Sequence, residues 1–257
     1  MALAVITGAG SGIGAATAHA LAARGHSLAL VGRSGAVEDT RDAIARETAG
    51  VQVYCHQVDL AVPTDRAALV RAIQRIIRDD GHQLTGVVHA AGVGTPAANL
   101  ASLVTGDLEH AMAVNLTAPL EITRDLLPAL TGCPGGARVL LIGAGIDERP
   151  QPGTGSYGIS KMALKRLGHQ LRTDLAHEGH EHDPAVGLFQ PGVVDTPGLR
   201  AHIAAARDCA LPHADYLAER LAQGQAYTPA TVGEAITSLL LDTAAAAFEG
   251  QEWRPHD

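Results

Sequence analysis

The chain has 257 residues, 46% of them hydrophobic and 18% charged, with a formal net charge of −8. That balance fits an α/β protein with a sizeable core and argues against a nucleic-acid or anionic-membrane partner. No apolar run reaches membrane-spanning length, and the opening Met1–Ile6 is too short for a signal-peptide core, so no membrane is expected. Three scattered cysteines, Cys55, Cys133 and Cys209, suit a reducing, cytoplasmic setting rather than a disulfide framework.

Strand-like apolar runs recur at 3–7, 27–31, 51–56, 86–90, 138–142 and 185–189. Helix-length segments separate them at 13–24, 38–49, 64–79, 105–130 and 156–178. This alternation predicts βαβ units in a single domain spanning 1–257: a Rossmann-like, doubly wound parallel sheet of about seven strands, with helices on both faces. After 189 the rhythm breaks. An Ala-rich stretch from Pro191 to Pro229, punctuated by Pro197 and Pro212, predicts one or two inserted helices near 197–228. These would form a substrate lid or, alternatively, a helical dimer contact. A last helix is expected at 230–241 and a short strand near 251–253.

The first strand runs into Thr7-Gly-Ala-Gly-Ser-Gly-Ile-Gly14. Gly8, Gly12 and Gly14 permit a tight turn and close backbone approach; Ser11 and Ile13 lie between them. A helix opening there presents free N–H groups and partial positive charge to a pyrophosphate. The second strand ends in Val31-Gly-Arg-Ser34. Where an acidic residue would bind ribose hydroxyls there is Gly32. Arg33, next to Ser34, can pair with a 2′-phosphate, which favours NADP(H) over NAD(H); the alternative is a solvated loop cation. Asp59, followed by Leu60, can accept a bond from an adenine amino group or serve as a helix-start carboxylate.

Tyr157 and Lys161 are four residues apart in a helical segment, which puts both side chains on one face. A phenol ionises near pH ~10, and a neighbouring cation lowers that value. The pair can therefore transfer a proton.

Taken in order, these segments resemble the short-chain dehydrogenase/reductase family over nearly the whole chain. Thr7–Gly14 is similar to its glycine motif and Asp59-Leu60 to its adenine-contacting pair. His89-Ala-Ala91-Gly92 stands where the family usually has Asn-Asn-Ala-Gly. Asn115 resembles the family's helix asparagine, and Tyr157 and Lys161 its Y-x-x-x-K pair. Pro191-Gly-Val-Val194-Asp-Thr196 resembles the segment that closes over the nicotinamide.

The resemblance implies that Tyr157 protonates a carbonyl oxygen as hydride arrives. Lys161 then lowers the phenol pKa and holds the nicotinamide ribose. Asn115 fixes a water in the proton relay, and the Val194 backbone with Thr196 holds the carboxamide. It also implies a homo-oligomer, with helices 105–130 and 156–178 as the natural contact.

One departure matters most. The family's serine, about thirteen residues before the tyrosine, is replaced by Ala144, and no hydroxyl lies between 143 and 153. Loss of one such donor costs about 10²–10³ in rate. The expectation is an NADP(H)-dependent reductase of a small ketone or dicarbonyl. The alternatives are a non-redox cyclase, dehydratase or isomerase on the same scaffold, and a cofactor-sensing binder without turnover.

The C-terminal third looks most similar to the sepiapterin reductase and benzil reductase branch, where a terminal aspartate such as Asp257 anchors a pterin. The run His177-Glu-Gly-His-Glu-His-Asp183 has irregular spacing and reads as a solvated loop; no metal is expected.

Overall fold

The computed structural model describes residues 1–146, 149–180 and 182–256. Seven parallel strands form one sheet in the order β3-β2-β1-β4-β5-β6-β7. They are β1 (Ala2–Thr7), β2 (Ser27–Gly32), β3 (Val53–Gln57), β4 (Gln83–His89), β5 (Arg138–Ile142), β6 (Ala185–Phe189) and β7 (Glu252–Trp253). The order reverses direction between β1 and β4. A crevice at the carboxyl ends of the strands is the usual ligand position in such sheets.

Alternation along the central strands builds two cores. Leu3, Val5, Val87, Val139 and Leu141 face one layer. Ala4, Ile6, Val88, Leu140 and Ile142 face the other. The first layer is covered by α3 (Pro63–Asp79), α5 (Ala118–Thr131) and α6 (Gly155–Glu178). The second is covered by α1 (Gly12–Ala23), α2 (Ala36–Glu47) and α9 (Pro229–Asp242). A strand buried on both sides has no polar face, which is why β2 and β6 read as continuous apolar runs. Helices α1 and α9 touch closely at Gly233, where a Cβ would sit 2.6 Å from the Ala16 carbonyl carbon.

The structure corrects several expected boundaries. β3 starts two residues later than expected, and β4 starts earlier because the Gln83 N–H donates to the Met1 carbonyl. The expected helix 105–130 is three pieces: α4 (Thr105–Met112), a π-helical turn (Ala113–Thr117) and α5. A π turn inserts an extra residue and re-aims the side chains around it, a device frequent at functional sites. Here it contains Asn115.

The insertion after β6 is two helices, α7 (Pro197–Asp208) and α8 (His213–Ala222). Thr196 caps α7 by accepting from the Leu199 N–H at 3.1 Å. A short α10 (Ala245–Phe248), absent from the sequence reading, precedes β7. Among the described residues no helix is long and apolar enough to cross a membrane.

Candidate active site

The turn from β1 into α1 is built by its glycines. Gly8 has φ +71, and a Cβ there would lie 2.7 Å from the Ala91 backbone nitrogen. At Gly14 a Cβ would overlap the Gly8 carbonyl. Gly12 has φ +55, and a Cβ would stand 3.0 Å from Thr196 Cγ2. The loop can therefore hold only glycine at these places. Ser11 is the extended N-cap of α1, and its hydroxyl makes no capping bond. The first turn of α1 thus retains unpaired N–H groups suited to an anion. Ile13 is packed into the second core.

At the end of β2, a Cβ on Gly32 would meet Val37 Cγ1 at 2.6 Å. An acidic ribose-binding side chain has no room there. Arg33 and Ser34 are exposed, and among the described residues no partner engages the Arg33 guanidinium. Asp59 is half-buried and accepts from the Ala61 N–H at 2.9 Å through Oδ1. That is a local turn bond, and it engages one of the two carboxylate oxygens. Leu60 is buried, and its carbonyl accepts from Arg66.

Tyr157 lies in the first turn of α6 and is half-buried; Lys161, one turn on, is only 3% exposed. The Lys161 Nζ stands 5.7 Å from the phenol ring centroid and donates to the Ile142 carbonyl at 2.8 Å. Asn115 is fully buried. Its Oδ1 accepts from the Val93 N–H at 2.8 Å, and its Nδ2 donates to the Val93 carbonyl at 2.9 Å. Nδ2 also donates to Ser160 Oγ at 2.8 Å, and Ser160 Oγ donates to the Tyr157 carbonyl at 2.9 Å. The asparagine thus clamps the loop after β4 to the helix that carries the phenol.

Ser160 was missed by sequence reasoning. Its signal was available as a hydroxyl three residues after Tyr157, on the inward face of the same helix.

Glycine loop and Tyr–Lys pair are contiguous. Gly8 abuts Ala91, whose N–H donates to Thr7 Oγ1 at 3.2 Å. A Cβ on Gly92 would lie 3.5 Å from Lys161 Nζ and 3.7 Å from Asn115 Oδ1. Gly94 backs onto the Tyr157 ring, its Cβ position 3.5 Å from Cδ2. On the far side, Val194 pairs with Tyr227, and the Gly192 turn leads from Pro191 toward Thr196.

His89 is fully buried at the end of β4, its Nε2 2.8 Å from Thr123 Oγ1. Burial, and then the Lys161 charge, push its pKa down to about 3. It is a neutral imidazole at any working pH.

Ala144 lies two residues beyond β5, half-buried, with no side-chain donor of its own. Ser156 is buried at the start of α6, and the Thr154 hydroxyl is spent on the Gln151 carbonyl at 2.8 Å. Asp257 falls outside the described residues, as does Glu181 of the histidine-rich run. Within that run His180 is exposed and lies near Asp183 at 3.3 Å. Among the described residues no group of three His, Cys, Asp or Glu side chains is placed to hold a metal.

A doubly wound parallel sheet with a glycine turn at its reversal point, and a Tyr–Lys pair beside that turn, defines a class of dinucleotide-dependent oxidoreductases. Comparison with known proteins gives the family. Residues 2–206 match the short chain dehydrogenase family, and the chain belongs to it. A sulfoacetaldehyde reductase of Chromohalobacter salexigens is 30% identical over 191 residues, covering 74% of this chain and 72% of that enzyme. A galactitol 2-dehydrogenase of Rhizobium johnstonii is 32% identical over 196 residues, covering 76% and 72%. Among solved structures, a proposed NAD(P)-dependent gluconate 5-dehydrogenase from Beutenbergia cavernae, with NADP at low occupancy, superposes with a TM-score of 0.81. It is 26% identical, over 98% of this chain and 94% of that one.

Proposed function

We propose that the protein is an NADP(H)-dependent reductase of a small ketone or dicarbonyl, with Tyr157 as the proton donor. The observation that carries this reading is the unbroken contact path from the anion-binding turn to the phenol: Gly8 to Ala91, then Gly92 to Lys161 and Asn115. A dinucleotide with its phosphates at the α1 N-terminus fits the Cβ-free cradle of Gly8, Gly12 and Gly14, with Ser11 and Ile13 framing the turn. Arg33 and Ser34 would meet a 2′-phosphate, and Asp59 with Leu60 the adenine end. Ala91, Gly92, Pro191, Val194 and Thr196 would line the nicotinamide end. The bound cofactor supplies the hydride.

The chain's own residues supply the rest. The Tyr157 hydroxyl protonates the carbonyl oxygen. The Lys161 ammonium, held by the Ile142 carbonyl, favours the phenolate left behind and so makes the proton easier to give. Asn115 fixes the loop after β4 against α6, which keeps Gly92 and Gly94 in contact with the pair.

With Ala144 at the family's serine position, the substrate oxygen is one donor short. This favours activated carbonyls, and the likeness of the C-terminal third to sepiapterin and benzil reductases makes cyclic and vicinal dicarbonyls the first to try. A cytoplasmic homo-oligomer joined through α5 and α6 accords with exposed Leu120, Ile159 and Met162 on those helices. Ala144 also favours a second reading, a cyclase, dehydratase or isomerase that uses Tyr157 as acid and base.

The deciding experiment follows NADPH absorbance with a panel of diketones, pterins and quinones. Oxidation with at least one carbonyl, abolished by Tyr157→Phe, is the expected result. Tight NADPH binding with no oxidation by any of them would overturn the redox reading. A rate that survives Tyr157→Phe would remove the proton-donor role.

A further inference from the structure

The two lid helices come down on both loops that flank Tyr157. His202 of α7 lies with Nδ1 3.1 Å from the carbonyl of Gly94, the residue whose Cβ position would lie 3.5 Å from the phenol ring. Cys209 Sγ donates to the Ala97 carbonyl at 3.2 Å. Leu211, between the helices, fills the space where Gly153 lacks a side chain. Ala97, Ala206, Leu211 and Ala214 make a small apolar cluster separate from the two main cores. Such a cluster is too small to hold two helices shut by itself, so the polar contacts carry weight.

Among those contacts, one is built from two imidazoles. His202 Nε2 faces His213 Nε2 at 3.0 Å, and the rings stack with centroids 5.2 Å apart. Hydrogen-bond logic fixes their tautomers. A carbonyl only accepts, so His202 Nδ1 carries a hydrogen, and in the neutral ring Nε2 is then an acceptor. His213 must therefore donate from Nε2, leaving its Nδ1 as a bare lone pair. That Nδ1 is buried without a partner among the described residues, and His213 is only 7% exposed.

We propose that His202 and His213 are positioning residues of the substrate site, a neutral imidazole latch that pins the 197–222 lid to the Gly94 carbonyl behind Tyr157 and opens on protonation. One proton still leaves a single N–H between the two Nε2 atoms. A second puts hydrogens on both, and the facing nitrogens then repel. The first proton already falls on His213 Nδ1, the bare lone pair, and burial and then the neighbouring His202 lower the His213 pKa. The sign follows. The open lid takes protons more readily than the closed one, so closure is complete above the ordinary imidazole value of about 6.5. It is lost progressively as pH falls below that value.

Among the described residues, surrounding charges do not compensate. On α7 and the segment before it, Arg200 is tied to Asp195 and Arg207 to Asp215 of α8, all toward solvent. Asp208, Glu219 and Arg220 are exposed or half-exposed, as is Arg149 on the Gly153 segment. Residues 93–104 offer no titratable side chain. Behind Gly94 stand Tyr157 and the Lys161 ammonium, whose charge opposes a second cation.

The latch rests on the reading that substrate binds under this lid against Tyr157. Its test, however, reads the lid itself. Hydrogen–deuterium exchange of the intact protein would be followed from pH 7.5 to 5, as protection factors for 197–222 referred to β1 and β4. In the native protein, lid protection should fall about tenfold or more below pH ~6.5, the range in which histidine charges. His213→Gln retains a donor to His202 and cannot titrate, so its lid should stay protected into acid. His202→Phe should lose protection at every pH and, with an active substrate, raise KM more than it lowers kcat. The same pH course in the native protein and His213→Gln would overturn the latch. So would native protection in His202→Phe. Neither outcome bears on whether NADPH is oxidised, so the two proposals fail separately.

Discussion

Lys161 donates from Nζ to the carbonyl of Ile142, the last residue of β5, at 2.8 Å. The cation beside the phenol is therefore anchored to the carboxyl end of β5, from which the Ala144 segment departs. Only Gly143 lies between the anchor and Ala144, the residue proposed to stand at the family's serine position. The same strand end thus holds the lysine beside Tyr157 and leads directly into the Ala144 segment.

Restoring the hydroxyl should quicken carbonyl reduction. Ala144 is half-buried, and serine adds a single oxygen there. Because one such donor is worth about 10²–10³ in rate, Ala144→Ser is expected to raise kcat by roughly tenfold or more. Steady-state rates with the best substrate from the panel check this; an unchanged kcat means that the oxygen is held elsewhere.

Arg33→Ala separates the cofactors. An exposed guanidinium with no protein partner among the described residues is available to a 2′-phosphate. Charge-assisted bonds contribute about 1.5–3 kcal/mol, so the Kd for NADPH should rise roughly tenfold to a hundredfold while that for NADH scarcely moves. Titration calorimetry with both nucleotides measures it. Equal weakening of the two would remove the 2′-phosphate role.

Asn115→Ala should lower both stability and activity. It strands the Val93 N–H and carbonyl and removes a partner of Ser160. Each stranded buried group costs about 1–3 kcal/mol, which for a chain of this size lowers Tm by several degrees. Thermal unfolding and kcat, measured together, are expected to fall. A native Tm with reduced kcat would assign Asn115 to the proton relay alone.

His89 gives an acid dependence of known sign. Its pKa is lowered from the ordinary imidazole value to about 3 by burial and then by Lys161. The unfolded chain therefore binds the proton first, and stability is lost as pH falls from about 6.5 toward 3. Replacing His89 with Asn should flatten the Tm-against-pH curve in that range. Parallel curves would show that His89 is not a source of acid sensitivity.

The sequence by itself determined the order of strands and helices, the glycine turn, and the spacing of Tyr157 and Lys161. Each depends on neighbours within a turn or two, where periodicity and backbone freedom are written locally. Even there the π turn at Asn115 escaped, since its residues carry the same apolar pattern as an unbroken helix. Ser160 went unnoticed for a related reason: its value lies in a partner 45 positions away.

Only the tertiary structure decided what the inserted helices α7 and α8 touch. His202 meets Gly94 across 108 residues, and Cys209 meets Ala97 across 112. Such pairings are set by how helices dock on a finished sheet. No spacing along the chain encodes that docking, because the energy comes from surfaces that exist only once the sheet is assembled.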